Sequence, residues 1–160
     1  MANGKRTAQS WIKSRRPSPK KERDTWPTPP VRHPIGLIPS DINKRKDLWE
    51  FLQKSTVTYP WCVLGDFNTV LKMDERVGGN PVNWEEITEF SSCLSTCGLE
   101  DLPYEGSKYT WCNNQGLGKL IYSKLDRIMG NVEWLLKFDF KACFREGGVS
   151  DHSAMILKKA

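Results

Sequence analysis

Four acidic or amide residues and one histidine stand where short apolar runs meet polar ones. Asp66 and Asn68 belong to Gly65-Asp66-Phe67-Asn68, directly after the apolar run Trp61-Cys62-Val63-Leu64. Asp126 lies within the stretch SKLDRIM, and Asp151 and His152 form the middle of SDHS, ahead of Ala154-Met155-Ile156-Leu157. Acids at strand ends are well placed to point into a crevice. A carboxylate–imidazole pair with further carboxylates suits phosphodiester hydrolysis. That reaction needs a hydroxide formed near neutral pH, a cation to neutralise the phosphate, and a donor aimed at its oxygens. Each residue also has a plainer reading. Asp66 can be a turn residue and Asn68 a local cap. Asp126 with Arg127 can be a surface ion pair that contributes little. Asp151 beside His152 can be a polar loop pair. Taken singly, each plainer reading would win.

The elements that must position these residues follow from periodicity and punctuation. A helix is expected from about Lys44 to Lys54, capped by Ser40 or Asp41, with Leu48, Phe51 and Leu52 on one face. Trp61–Leu64 suits a buried strand, and the stretch MDERVGGNPVN reads as a polar loop. In the next helix Asn83 and Glu86 have the spacing of a capping box. Ile87, Phe90, Leu94 and Cys97 form its apolar stripe, and Gly98 suits its left-handed end. Gly106 marks a turn. KYTWCN reads as one strand, GLGK as a turn and LIYSKLDRIM as one long strand. Asn131 can cap a short helical turn through Trp134 and Leu136. FDFKACF is a strand, Gly147-Gly148 a break, and SDHSAMIL leads into the last strand. Interleaved strands and helices predict an α/β or α+β fold, with no internal repeat.

The chain has 160 residues, enough for one domain of ordinary size. It has no apolar run long enough for a membrane span and no apolar leader, so no membrane partner is expected. Five cysteines show no CxxC pair, which suits reduced intracellular thiols packed as small hydrophobes. The net charge of +5 is unevenly placed. Residues 1–40 hold nine Lys/Arg against two acids and seven of the ten prolines. Residues 41–160 hold fifteen Lys/Arg against seventeen acids. The expectation is a disordered or extended basic tail over 1–40, joined to a near-neutral domain over 41–160. Such a tail suits phosphate backbones, or is simply a solvated segment. KSRRPSPKK has the composition of a nuclear-import signal, so a nuclear, intracellular site is the expectation. The sequence does not indicate an oligomeric state.

The ordered set PWCVLGDFN, CGLEDLP, GSKYTWCNN, SKLDRIMGNVEW and SDHSAMIL resembles the latter part of the endonuclease/exonuclease/phosphatase superfamily. GDFN and SDH are shared across that superfamily. The YTW and KLDR elements are similar to plant LINE-type retrotransposon endonuclease domains. The resemblance covers roughly residues 44–158. It implies a partial four-layer α/β/β/α sandwich and metal-dependent hydrolysis of DNA, with Mg²⁺ as cofactor. By the same resemblance Asp66 positions or deprotonates the attacking water, and Asn68 contacts the scissile phosphate. Asp126 orients His152, His152 binds the phosphate, and Asp151 lies at the metal edge. An imidazole also needs an acceptor on its second nitrogen to fix its tautomer, which Asp126 can supply.

The family's first-half elements have no counterpart here: an early Asn, a metal-binding Glu and a Tyr on a later strand. Before Asp66 the acids are Glu22, Asp24, Asp41, Asp47 and Glu50, and none follows an apolar strand. The expectation is therefore a truncated, retrotransposon-derived fragment with an incomplete Mg²⁺ site and weak or no activity. Three other readings stay open: a non-catalytic nucleic-acid-binding or interaction module that uses the basic tail, a phosphatase for small phosphoesters, and a non-functional gene fragment.

Overall fold

The computed structural model describes residues 42–116, 118–146 and 148–160. The basic segment 1–40 and the cap expected at Ser40 or Asp41 lie outside them. Helix α1 spans Ile42–Lys54, and helix α2 spans Trp84–Cys97. A short helix α3 covers Val132–Lys137. A 3₁₀ turn at Met73–Glu75 and nine strands complete the described order: β1 Cys62–Asp66, β2 Arg76–Val77, β3 Leu99–Asp101, β4 Tyr104–Gly106, β5 Trp111–Cys112, β6 Tyr122–Ser123, β7 Asp126–Asn131, β8 Phe140–Arg145 and β9 Ala154–Lys159. They form three small sheets with orders β1-β7-β3, β2-β6-β5 and β4-β8-β9. The pairings are antiparallel except β4 with β8. The fold is α+β. No described helix is long and apolar enough to cross a membrane.

Alternation along β7 sorts the packing, because successive strand residues face opposite ways. Met129 turns to one face of the first sheet, where it meets Trp49 and Leu52 of α1 and Phe90, Cys93, Leu94 and Cys97 of α2. Trp49 stacks on Phe90 at 4.7 Å between ring centroids, and Phe90 stacks on Phe67 at 5.3 Å. Ile128 turns to the other face and packs with Leu102, Ala142 and Phe144. Helices, sheet and second sheet therefore lie in that order. The thiols of Cys93, Cys97 and Cys143 pack as small hydrophobes, as expected, and all five cysteines are free. Burial pushes the Cys62 thiol up to about 12.

Several local expectations need correction. Of the face expected for α1, Leu52 is buried and Leu48 packs against the core, but Phe51 is exposed, and Arg45 and Trp49 complete the buried side. The side chain of Asn83 caps α2 through the N–H of Glu85. The Glu86 carboxylate does not close a capping box; it binds Arg45 at 2.7 Å, a charged partner stronger than a neutral N–H. Gly98 ends α2 in the left-handed conformation expected of it, at φ 64°. The strand expected over KYTWCN shrinks to Trp111–Cys112. LIYSKLDRIM is two strands in two sheets. Its ladder breaks at Lys124 and Leu125, whose N–H groups go to the Glu75 carbonyl at 2.8 Å and the Thr110 hydroxyl at 3.0 Å.

One ionic cluster joins the sheets. The Arg127 side chain on β7 is fully buried and binds Glu75, which sits just before β2, and Asp101 at 2.6 Å, at the end of β3. Lys124 reaches Asp101 at 3.0 Å. Glu75 also accepts the N–H groups of Leu71 at 2.7 Å and Lys72 at 3.3 Å. Removing one member of such a cluster strands a buried charge. Arg127→Met is therefore expected to cost about 3–5 kcal/mol in urea unfolding. Lys54→Ala, at the exposed pair with Glu50, should change stability by less than about 0.5 kcal/mol. Equal effects of the two substitutions would refute the assignment.

Candidate active site

Asp66 is the last residue of β1 and Asp126 the first of β7, and the antiparallel register sets them directly opposite one another. Cross-strand neighbours of this kind have Cβ atoms about 4.5–5.5 Å apart. Two carboxylates so placed repel unless a cation or a donor lies between them. His152 is that group. Its Nδ1 is 3.0 Å from Asp126 Oδ2, and its Nε2 is 4.0 Å from Asp66 Oδ2. The segment carrying His152 is held like an extra strand beside β5. Trp111 and His152 form a β-bridge, the Cys112 N–H donates to the Asp151 carbonyl at 2.9 Å, and the Ser153 N–H donates to the Thr110 carbonyl at 2.7 Å. The His152 N–H donates to Ser150 Oγ at 3.1 Å, which tightens the turn.

The five residues singled out in the sequence come together, with different roles in the local geometry. Asp126 is buried, while the His152 side chain keeps about a third of its surface exposed. The reading of Asp126 and Arg127 as a surface pair fails, because both are buried and strand alternation turns them to opposite faces. The turn reading of Asp66 holds alongside the site reading. Asp66 Oδ1 accepts the Asn68 N–H at 2.8 Å, and Asn68 Nδ2 reaches Asp66 Oδ2 at 3.2 Å. Asn68 takes the left-handed conformation at φ 49°, which Asn tolerates better than most residues. Its carbonyl accepts Arg45 Nη1 at 2.8 Å, so α1 buttresses the loop. Asp151 turns its carboxylate to Trp111 Nε1 at 3.1 Å. An open groove of about 460 Å³ flanks His152 and Asp151, with Tyr109, Trp111, Tyr122 and Glu146 on its walls.

Burial raises the Asp66 pKa above its usual value, the Asn68 N–H works against that rise, and the neighbouring Asp126 adds to it. For His152, burial disfavours the imidazolium, but the hydrogen bond and negative charge of Asp126, with Asp66 and Asp151, outweigh it and raise the pKa. The site therefore favours a protonated imidazole beside carboxylates. Nδ1 is committed to Asp126, and Nε2 lies 4.0 Å from Asp66 Oδ2.

The donors present do not by themselves fit a hard six-coordinate cation. Such an ion needs several oxygens at about 2.0–2.1 Å, whereas the three carboxylates here are directed at Asn68, His152 and Trp111. Among the described residues, no group of three or more His, Cys, Asp or Glu is arranged to hold a metal ion. Compared with protein-family models and with the curated proteins, the chain matches none.

Two contributors escaped the sequence reading as site residues. Thr110 and Trp111 occur in the YTW element, but a hydroxyl there gives no signal of its long-range partners.

The raised His152 pKa carries a sign. The folded chain holds that proton more tightly than the unfolded chain does. The interaction therefore stabilises fully below about 6.5, the unfolded value, and its contribution is lost as pH rises through the higher folded value. The chain has two histidines, His33 and His152, so a proton–carbon NMR titration resolves each. His152 should titrate above the ordinary histidine value, and Asp126→Asn should lower its pKa. No change in Asp126→Asn would show that the 3.0 Å contact does not govern the imidazole.

Proposed function

We propose that this chain is part of an endonuclease/exonuclease/phosphatase-type domain, of the branch found in plant LINE retrotransposons, and that its site binds and orients a phosphodiester of DNA. The observation that supports this is the His152 imidazole, anchored by Asp126 at 3.0 Å and facing Asp66 at 4.0 Å. With Nδ1 committed, a protonated Nε2 can donate to a phosphate oxygen as charge develops there. Asp66 is placed to accept a proton from an attacking water on the same side. Asn68 Nδ2 lies beside Asp66 and offers a second donor to the same phosphate. In the family's four-layer sandwich, the helix layer and two sheets described above would be three of the layers.

Charge limits what this site does alone. A phosphodiester anion approaching Asp66, Asp126 and Asp151 meets more negative than positive charge. Bringing them together needs a cation. Mg²⁺ is the family's ion and the one we propose, but it would need oxygen ligands beyond those at hand. We therefore infer weak or absent cleavage by the chain on its own. A nuclear, intracellular site accords with KSRRPSPKK and with a DNA substrate.

The test combines binding and nicking. Binding of a short DNA duplex by the purified chain should weaken in His152→Ala. Nicking of supercoiled plasmid with Mg²⁺ should be slow or absent, and any nicking should disappear in Asp66→Ala and His152→Ala. Binding indifferent to His152→Ala, or nicking that survives both substitutions, would remove the basis of the reading.

A second reading rests on the charge segregation. Nine Lys/Arg within residues 1–40 suit a non-catalytic nucleic-acid-binding module. Replacing them with Gln should make DNA binding less salt-dependent, by about 0.9 in the log–log slope for each phosphate that the segment no longer neutralises. An unchanged slope would sink this reading.

A further inference from the structure

Thr110 stands between the two partners of the carboxylate–imidazole pair. It is buried, with 1% of its surface exposed. Its Oγ1 accepts two backbone N–H groups, from Leu125 at 3.0 Å and from Asp126 at 2.9 Å. Its carbonyl accepts the N–H of Ser153, next to His152, at 2.7 Å. Its own N–H donates to the Ser123 carbonyl at 2.9 Å. The following residue, Trp111, makes the β-bridge to His152.

These bonds answer a need created by the topology. At Lys124 and Leu125 the chain leaves one sheet and enters another, and β3 pairs with β7 only at Met129, Gly130 and Asn131. β3 therefore stops short of Leu125 and Asp126, and although β1 lies opposite Asp126, the N–H groups of both residues go to the Thr110 hydroxyl. Buried N–H groups without acceptors are costly. A hydroxyl on Cβ reaches both at once. Valine has the same shape and accepts nothing, whereas serine keeps the acceptor.

We propose that Thr110 is the positioning residue of this site, holding Asp126 through its hydroxyl and the His152 segment through its carbonyl. It acts on the imidazole through Asp126 and has no place at the reacting atoms. Both arms originate in one residue, so the separation of Asp126 and His152 is set locally, although the two are 26 positions apart. As a statement about catalysis the inference rests on the phosphodiesterase reading. As a statement about the pair it does not.

The test reads the His152 titration by NMR in Thr110→Val, Thr110→Ser, Asp126→Asn and the double variant Thr110→Val/Asp126→Asn. In Thr110→Val the His152 pKa should fall part of the way to its value in Asp126→Asn. Thr110→Ser should keep the unaltered value. Thr110→Val should add nothing in the Asp126→Asn background, because both act through one interaction. A folded Thr110→Val with an unaltered His152 titration overturns the proposal, as does an equal fall in Thr110→Ser. Should Thr110→Val not fold, hydrogen exchange in the unaltered chain and in Thr110→Ser decides. The Leu125 and Asp126 amides should exchange slowly in both, and exchange at the rate of open amides overturns the proposal. Cleavage is not measured at any point, so failure of the phosphodiesterase reading leaves this result standing, and the reverse also holds.

Discussion

A single buried guanidinium holds the described fold together. Arg127 lies in the central strand of the first sheet, and its partners lie at the edge of that sheet and beside the second. Glu75 precedes β2, and Asp101 ends β3 shortly before β4 begins. Lys124, in the link between β6 and β7, reaches the same Asp101. Each small sheet has only three strands, too few to fix its neighbours by backbone pairing alone. An arginine offers several donors in a rigid fork, which suits a junction where acceptors converge. Packing supports it, with the guanidinium carbon 5.8 Å from the Phe90 ring centroid.

The site borrows that rigidity. Asp126 and Arg127 are adjacent, and strand geometry sends them to opposite faces of one sheet. What anchors Arg127 therefore fixes the backbone from which Asp126 projects. Asp66 faces Asp126 across the same ladder. The resulting pair of carboxylates would be unfavourable in isolation, and His152 relieves the repulsion between them. Structure and electrostatics agree here: the group that completes the pairing is also the group whose proton affinity the pair raises. Carboxylates outnumber cations around His152, so the imidazole is the positive charge that the pair gathers.

Much of the local structure was legible in the sequence. The stripe Ile87, Phe90, Leu94 and Cys97 marked α2, Asn83 and Gly98 marked its ends, and Asp66 marked the end of β1. The short strands were not legible. β2, β3 and β4 have two or three residues each, too few for a period to emerge. β4 runs parallel to β8 through a close approach at Gly106, where a Cβ would lie 2.0 Å from the Phe144 carbonyl oxygen. The stretch 120–129 looked like one strand because nothing in it signals a change of sheet. The change is made by hydrogen-bond partners distant in sequence, the Glu75 carbonyl and the Thr110 hydroxyl.

What the sequence determined by itself was a set of chemical types at strand ends: Asp66, Asn68, Asp126, Asp151 and His152. It also determined the separation of a basic, proline-rich segment from a near-neutral domain. Tertiary structure decided which of those residues act on one another. It turned Asp126 toward His152 and Arg127 into the ionic core, directed Asp151 to Trp111, and gave Thr110 two arms. The reason is physical. Side-chain type and local propensity act over a few residues, whereas a buried charge or an unpaired N–H is satisfied by whatever the fold brings within about 3 Å.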